Sequence, residues 1–175
     1  MTDTQIKDRI ISLILSTGRE GTQRTVDYLL RSDFFTASCH HHHKFIGGLA
    51  KHSLEAYEIA VKVHKDMPKD SLILTTLLHD LCTARHTSTD HIHGHGYRSV
   101  RILKEVCGLD ITHEESNAIR YHMHPFAEQT HGSLLAAVVS AADIHSASSG
   151  AIGRMYGCAM EAQKTSPANP VWLNL

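Results

Sequence analysis

Apolar residues recur at helical spacing along most of the chain, and no stretch sustains the period-2 alternation of a strand. Ile6, Ile10, Leu13 and Leu15 predict an amphipathic helix ending near Gly18. A second is predicted from the cap candidate Thr22 to about Arg31, with Val26, Leu29 and Leu30 inward. A third begins after Gly47-Gly48, carries Ala50, Leu54, Tyr57 and Val61, and stops before Pro68. The fourth, capped by Asp70 or Ser71, reads Leu72-Ile73-Leu74-Thr75-Thr76-Leu77-Leu78 and has no strongly polar side. A helix of that kind belongs in the middle of a bundle. It ends at His79-Asp80 and gives way to a polar loop, Arg85 to Gly96. A fifth helix follows through Val100, Ile102, Leu103 and Val106 to Gly108. Thr112 and Glu115 fit a capping box for a sixth, and Leu134, Leu135, Val138, Val139 and Ala142 form the stripe of a seventh after Gly132-Ser133. Beyond Gly150 the periodicity weakens, and Thr165 to Leu175 reads as an extended tail. The expected fold class is all-α: one bundle of about seven helices, with residues 1–38 packed on a core of 39–150 and a C-terminal extension over 151–175.

The 175 residues are 42% hydrophobic, enough for one real core, and 17 Lys+Arg against 18 Asp+Glu exclude a nucleic-acid binder working by bulk positive charge. No apolar run approaches the roughly 20 residues that span a bilayer. The N-terminus lacks the basic start and apolar stretch of a signal peptide, so a soluble, cytoplasmic chain is expected. Cys39, Cys82, Cys107 and Cys158 are scattered, which suits free thiols and excludes a zinc finger. A G-x-S-x-G elbow and a phosphate-cradling Gly-rich loop are both missing. The anomaly is 16 histidines, four of them consecutive and internal at His40 to His43.

Asp80 lies at the end of the least polar helix and is expected to be buried, where an unpaired carboxylate costs several kcal/mol. A divalent cation shared with His79 would satisfy both, since imidazole and carboxylate together suit Mn, Fe, Zn or Ni. Taken alone, the pair fits a surface contact at a helix end better than a metal site. Asp143, beside the apolar stripe of the seventh helix, supplies a second carboxylate, and His52 on the third helix a further imidazole. Asp143 by itself would also fit a solvated acid or a partner for an arginine.

The order His52, His79-Asp80, Asp143 resembles the H…HD…D signature of HD-domain metal-dependent phosphohydrolases. The segment His43 to Ser53 is similar to the H-x-x-x-G-G-L-x-x-H-S/T stretch of small bacterial HD hydrolases, and of the HD domain that a bacterial 3′–5′ exoribonuclease couples to an OB-fold. Leu77 to Leu81 resembles their L-L-H-D-I/L, His95 to Ser99 their H-G-x-x-S helix start, and Ile119 to Met123 their I-R-W/Y-H-M. Ala142-Asp143 resembles the A-D pair of the last ligand helix. The likeness covers about three-fifths of the chain, His42 to Ser146, and residues 1–38, which read as helices, are not expected to form an OB-fold. The segment between Asp80 and His95 is shorter than in many relatives and holds His86, His91 and His93. His95, rather than His93, puts Ser99 at the family's offset.

The resemblance implies an all-α HD bundle with His52, His79, Asp80 and Asp143 holding a first divalent metal. It implies that His95 and His122 hold a second, bridged by Asp80, with Fe, Mn, Ni, Zn or Mg as the cofactor. One or two such ions activate water and clamp the oxygens of an in-line phosphoryl displacement. Asp80 is then the catalytic carboxylate, and His124 a candidate general acid. His43, Lys44, Arg98 and Arg120 are candidates for substrate phosphate, and His42 for the pocket wall. The expected partner is a small phosphorylated substrate, a nucleotide being the favoured class. Neither membrane nor nucleic acid is called for, and a homo-oligomer is left open. The competing readings are a catalytically silent metal- or nucleotide-binding sensor and plain metal storage by the histidine-rich segments.

Overall fold

The structure is a computed structural model and describes residues 1–39, 41–82, 94–123 and 133–148. Expectations for His40, His86, His91, His93, His124 and the 151–175 extension lie outside the described residues. Every regular element among the described residues is helical: α1 (Asp3–Ser16), α2 (Thr22–Arg31), α3 (Gly48–Val63), α4 (Lys69–Leu78), α5 (His95–Arg101), α6 (His113–Arg120) and α7 (134–148). No helix among them is long and apolar enough to cross a membrane.

Local chemistry starts these helices where the sequence signals them. Thr112 Oγ1 accepts from the Glu115 backbone N–H at 3.1 Å while Glu115 Oε2 accepts from the Thr112 N–H at 2.8 Å, a complete capping box on α6. Thr2 and Gln5 do the same for α1. Helix α4 starts at Lys69 with Pro68 at its cap position, two or three residues before the Asp70 or Ser71 cap expected. Ser71 instead donates to Glu115 Oε1 at 2.7 Å, and Asp70 sits in the first turn, where a carboxylate meets the positive end of the helix dipole.

Helix α4 is the centre of the bundle, as its unbroken apolar run predicts: every residue from Leu72 to Leu78 is buried. Its two threonines need no outside partner. Thr75 and Thr76 donate their hydroxyls to the carbonyls of Ser71 and Leu72, one turn back. One core joins Ile10 of α1, Leu29 of α2, Leu54 of α3, Leu74 of α4, Leu103 just after α5, and Ile119 of α6. A second, smaller core packs Leu135 and Val139 of α7 against Ala56 and Ala60 of α3, with Leu72 and Ala118 beside them. Helix α3 is therefore covered on both sides, and α7 is held across it by small side chains that allow a close approach.

Four apolar positions depart from the expected faces. Leu15, Leu30, Val106 and Leu134 are exposed. On α1 the buried stripe is Ile6, Ile10, Leu13 and Ile14, so Leu15 falls about 100° beyond its edge. After α5 the chain passes through a π-helical turn, Ile102–Val106, closed by the Cys107 N–H on the Ile102 carbonyl at 3.0 Å. The extra residue in that turn rotates Val106 outward and Cys107 into the core, a register change that periodicity cannot foresee.

Candidate metal centre

Five helices deliver the polar side chains to one place. Helix α3 brings His52, the end of α4 brings His79 and Asp80, and α5 opens on His95. His122 lies just past α6, and α7 carries Asp143. His52, His79, His122 and Asp143 are buried. Asp80 is less enclosed than expected, its side chain 16% exposed, because it stands beyond the last turn of α4 at the rim.

Two of the histidines are aimed by the helix ends that carry them. The last carbonyls of a helix have no intrahelical partner. His79 Nδ1 takes the Thr76 carbonyl at 2.8 Å, and His122 Nδ1 takes the Ile119 carbonyl at 2.8 Å, each three residues back. A carbonyl only accepts, so in each ring Nδ1 carries the hydrogen and Nε2 of the neutral ring presents a lone pair inward. Glycine brings the rest close. A Cβ on Gly96 would overlap the carbonyls of Ile119 and Arg120, so only glycine lets the start of α5 press against the end of α6 and set His95 beside His122. A Cβ on Gly48 would likewise overlap the His43 carbonyl, which is why the Gly47-Gly48 pair lets the histidine-rich loop lie against α3.

The inward atoms form two overlapping sets. In the first, His52 Nε2 is 3.3 Å from His79 Nε2 and 3.1 Å from Asp143 Oδ1, and His79 Nε2 is 3.7 Å from the same oxygen. In the second, His95 Nε2 lies 2.8 Å from His122 Nε2, with Asp80 Oδ1 3.4 Å from the former and 3.6 Å from the latter. Asp80 Oδ2 turns to His79 Nε2 at 3.6 Å. The two oxygens of Asp80 thus face opposite sets, the placement expected of a bridging carboxylate.

The electrostatics match. Burial alone would lower the pKa of His79, yet Asp80 and Asp143 on either side push it up to about 9. Burial, reinforced by the charge on His79, lowers His122 to about 4. Burial opposes ionisation of Asp143 and Asp80, but the surrounding imidazoles hold both carboxyls below their ordinary range. The cavity therefore stabilises negative charge and gathers nitrogen lone pairs, which repel one another unless a proton or a cation lies between them. Two triads that share His79, namely His52, His79, Asp143 and His79, Asp80, His122, fit a divalent metal by donor type and by convergence of their ligand atoms within 4.8 Å, and outer hydrogen bonds fix the imidazoles.

His42, His43 and His52 also converge, yet their contacts need no ion. His42 Nδ1 and His43 Nδ1 are 3.0 Å apart, and His43 Nε2 is 2.9 Å from Glu55 Oε2. If His43 donates to the carboxylate, its Nδ1 accepts from His42, and every close contact is filled by one hydrogen.

A comparison of the sequence with family profiles matches the HD domain over residues 49–148, more than half of the chain. The chain belongs to the HD-domain family. Neither a curated protein nor a solved structure matches it. Membership makes this all-α chain part of a superfamily whose members are mostly metal-dependent phosphohydrolases, and its His/Asp groups could hold a divalent metal. The structure brings together His52, His79, Asp80, His95, His122 and Asp143, all six metal candidates named from the sequence.

The remaining candidates are placed differently. Both ring nitrogens of His43 face protein partners, and its backbone sits in the left-handed region at φ 42°. Lys44 is exposed on the same loop. Arg120 lays its guanidinium 5.3 Å from the Tyr97 ring centre, and Arg98 lines a surface groove with Arg101, Ile102, Glu105 and Val106. Sequence reasoning missed Ser146, which is fully buried and 3.0 Å from His52 Nδ1. It also gave no role to Glu55. A serine near the end of a helix carries no signal of its own; only the crossing of α7 over α3 gives it one.

Proposed function

We propose that this HD-domain protein is a metal-dependent phosphohydrolase that cleaves a phosphomonoester or phosphodiester with water as the nucleophile. The observation that carries the proposal is the division of Asp80 between two histidine sets whose Nε2 atoms converge with its oxygens. His52, His79, Asp80 and Asp143 would hold one divalent ion and Asp80, His95 and His122 a second. Ions bound there would polarise a phosphoryl oxygen and lower the pKa of water toward neutrality.

The chain's own residues prepare that chemistry. The Thr76 and Ile119 carbonyls keep His79 and His122 in the tautomer that exposes Nε2. Asp80, partly open at the rim, is the carboxylate best placed to take a proton from an entering water. Lys44, Arg98 and Arg120 are assigned to substrate phosphate, where a guanidinium can bind two oxygens at once. His124 is assigned the leaving-group proton. A nucleotide is the substrate class to test first, and a cytoplasmic setting is part of the proposal, one that the free thiols of Cys39, Cys82 and Cys107 suit.

The test is a screen of the purified chain, with Mn, Fe, Ni, Zn and Mg in turn, against p-nitrophenyl phosphate, bis-p-nitrophenyl phosphate and nucleotides. Turnover that disappears in both Asp80→Ala and His52→Ala is the expected result. An Asp80→Ala protein that stays active and metal-loaded refutes it. Tight nucleotide binding without turnover would identify a sensor, and a metal content above two ions that survives loss of Asp80 and Asp143 would identify storage.

A further inference from the structure

The geometry points to Ser146 and Glu55 as positioning residues that fix the tautomer of His52 and thereby set the strength of the first metal site. The inference rests on the proposed metal centre and adds to it a support that no family motif supplied.

His79 and His122 are aimed by backbone carbonyls, but His52 sits in the middle of α3, where every carbonyl is already engaged by the helix. Its Nδ1 instead meets Ser146 Oγ of α7 at 3.0 Å. A hydroxyl can donate or accept, so Ser146 alone would leave His52 undecided between its two tautomers. Glu55 decides. Its Oε2 is 3.2 Å from Ser146 Oγ and 2.9 Å from His43 Nε2, and Lys51 Nζ holds Oε1 at 2.9 Å. Burial opposes ionisation of Glu55, but His43 and Lys51 lower its pKa to about 2, so the carboxylate only accepts.

A single direction of donation follows. The Ser146 hydroxyl gives its hydrogen to Glu55 in preference to the His52 carbonyl, which is uncharged and more distant at 3.4 Å. Ser146 Oγ then accepts from His52 Nδ1–H, so the Nε2 lone pair faces Asp143 Oδ1 at 3.1 Å, two acceptors that only a cation or a second ring proton between them reconciles. The same oxygen, Glu55 Oε2, also accepts from His43 Nε2 at 2.9 Å. One acceptor, one turn along α3 from Lys51, therefore orders both the first ligand and the loop that covers it.

The test uses the full chain stripped of metal and titrated with Zn²⁺, with far-UV circular dichroism as the fold control. Ser146→Ala and Glu55→Ala are expected to weaken the first ion by about 10- to 100-fold while the second, at Asp80, His95 and His122, keeps its affinity. Ser146→Thr retains the hydroxyl and is expected to restore binding. In the Zn²⁺-loaded wild-type protein, the ¹⁵N spectrum of His52 should show Nδ1 protonated and Nε2 ligated, a pattern lost in Ser146→Ala. Should Ser146→Ala fail to fold, Glu55→Ala carries the test, because Glu55 is partly exposed. Undiminished first-ion affinity in the folded variants, or ligation of wild-type His52 through Nδ1, overturns the assignment of Ser146 and Glu55 alone. Absence of any Zn²⁺ binding by the wild-type protein would overturn the metal centre itself.

Discussion

Removing metal should give this protein a stability that falls as pH rises, with His79 as the cause. Without a cation, the charge balancing Asp80 and Asp143 is the proton on His79, whose pKa is pushed up from 6.5 to about 9. A group with a raised folded-state pKa stabilises the fold fully below its unfolded value, here about 6.5, and that stabilisation is lost as pH climbs through about 9. At about 1.4 kcal/mol per pH unit the contribution comes to about 3 kcal/mol. For a chain of this size, each kcal/mol shifts Tm by roughly 2–4 °C, so a decline on the order of 10 °C is expected from the neutral side to the alkaline side. His122 and His42, both lowered to about 4, act at the other end: burying them neutral stabilises the fold above about 6.5 and is lost as pH falls through 4. The metal-free protein should therefore be most stable near pH 6.5.

Differential scanning fluorimetry from pH 4 to 10, with chelator and again with saturating Zn²⁺ or Mn²⁺, measures this directly. A bound cation takes the place of the His79 proton, so the alkaline decline should vanish in the metal-loaded protein. Binding must also displace that proton, so metal affinity should rise with pH and level off above about 9. A metal-free protein whose Tm stays flat from pH 6.5 to 9.5 would refute this account of His79. So would an unchanged alkaline slope in His79→Ala.

Other consequences can be checked with the same protein. Gly96→Ala would drive a Cβ into the Ile119 and Arg120 carbonyls, costing about 1–3 kcal/mol. It should weaken the second ion at His95 and His122 by calorimetry while sparing the first. Leu77→Ala, at a fully buried position of α4, should cost about 2–5 kcal/mol in urea unfolding. Burial, reinforced by the charges of Asp80 and Asp143, raises the Cys39 thiol to about 12, and burial also raises Cys82 and Cys107. Iodoacetamide at pH 8 should leave all three unmodified in the native protein, as read by peptide mass mapping.

How much of this was legible in the chain depends on whether a property is local. The capping box at Thr112, the unbroken apolar run of α4 and the stripe of α7 are written in consecutive residues, and those elements form where they are expected. Of the six metal candidates, Asp80 and Asp143 were suggested by carboxylates beside apolar helix stripes, whereas His95 and His122 came only from the family resemblance, with the Ser99 offset choosing His95. The edges of the apolar faces were not legible: Leu30 and Leu134 satisfy helical spacing but lie outside the width that neighbouring helices cover. The π-helical turn after α5 leaves no mark in the pattern. Ser146 and Glu55 were hidden for a deeper reason. Their meaning lies in a contact between residues 91 apart, made when Ala56 and Ala60 let α7 settle onto α3. The same crossing carries Asp143 to His52. Metal ligand and support therefore come from one helix in one packing event, so loosening the small apolar interface of α7 should weaken the first metal site before it unfolds the rest of the bundle.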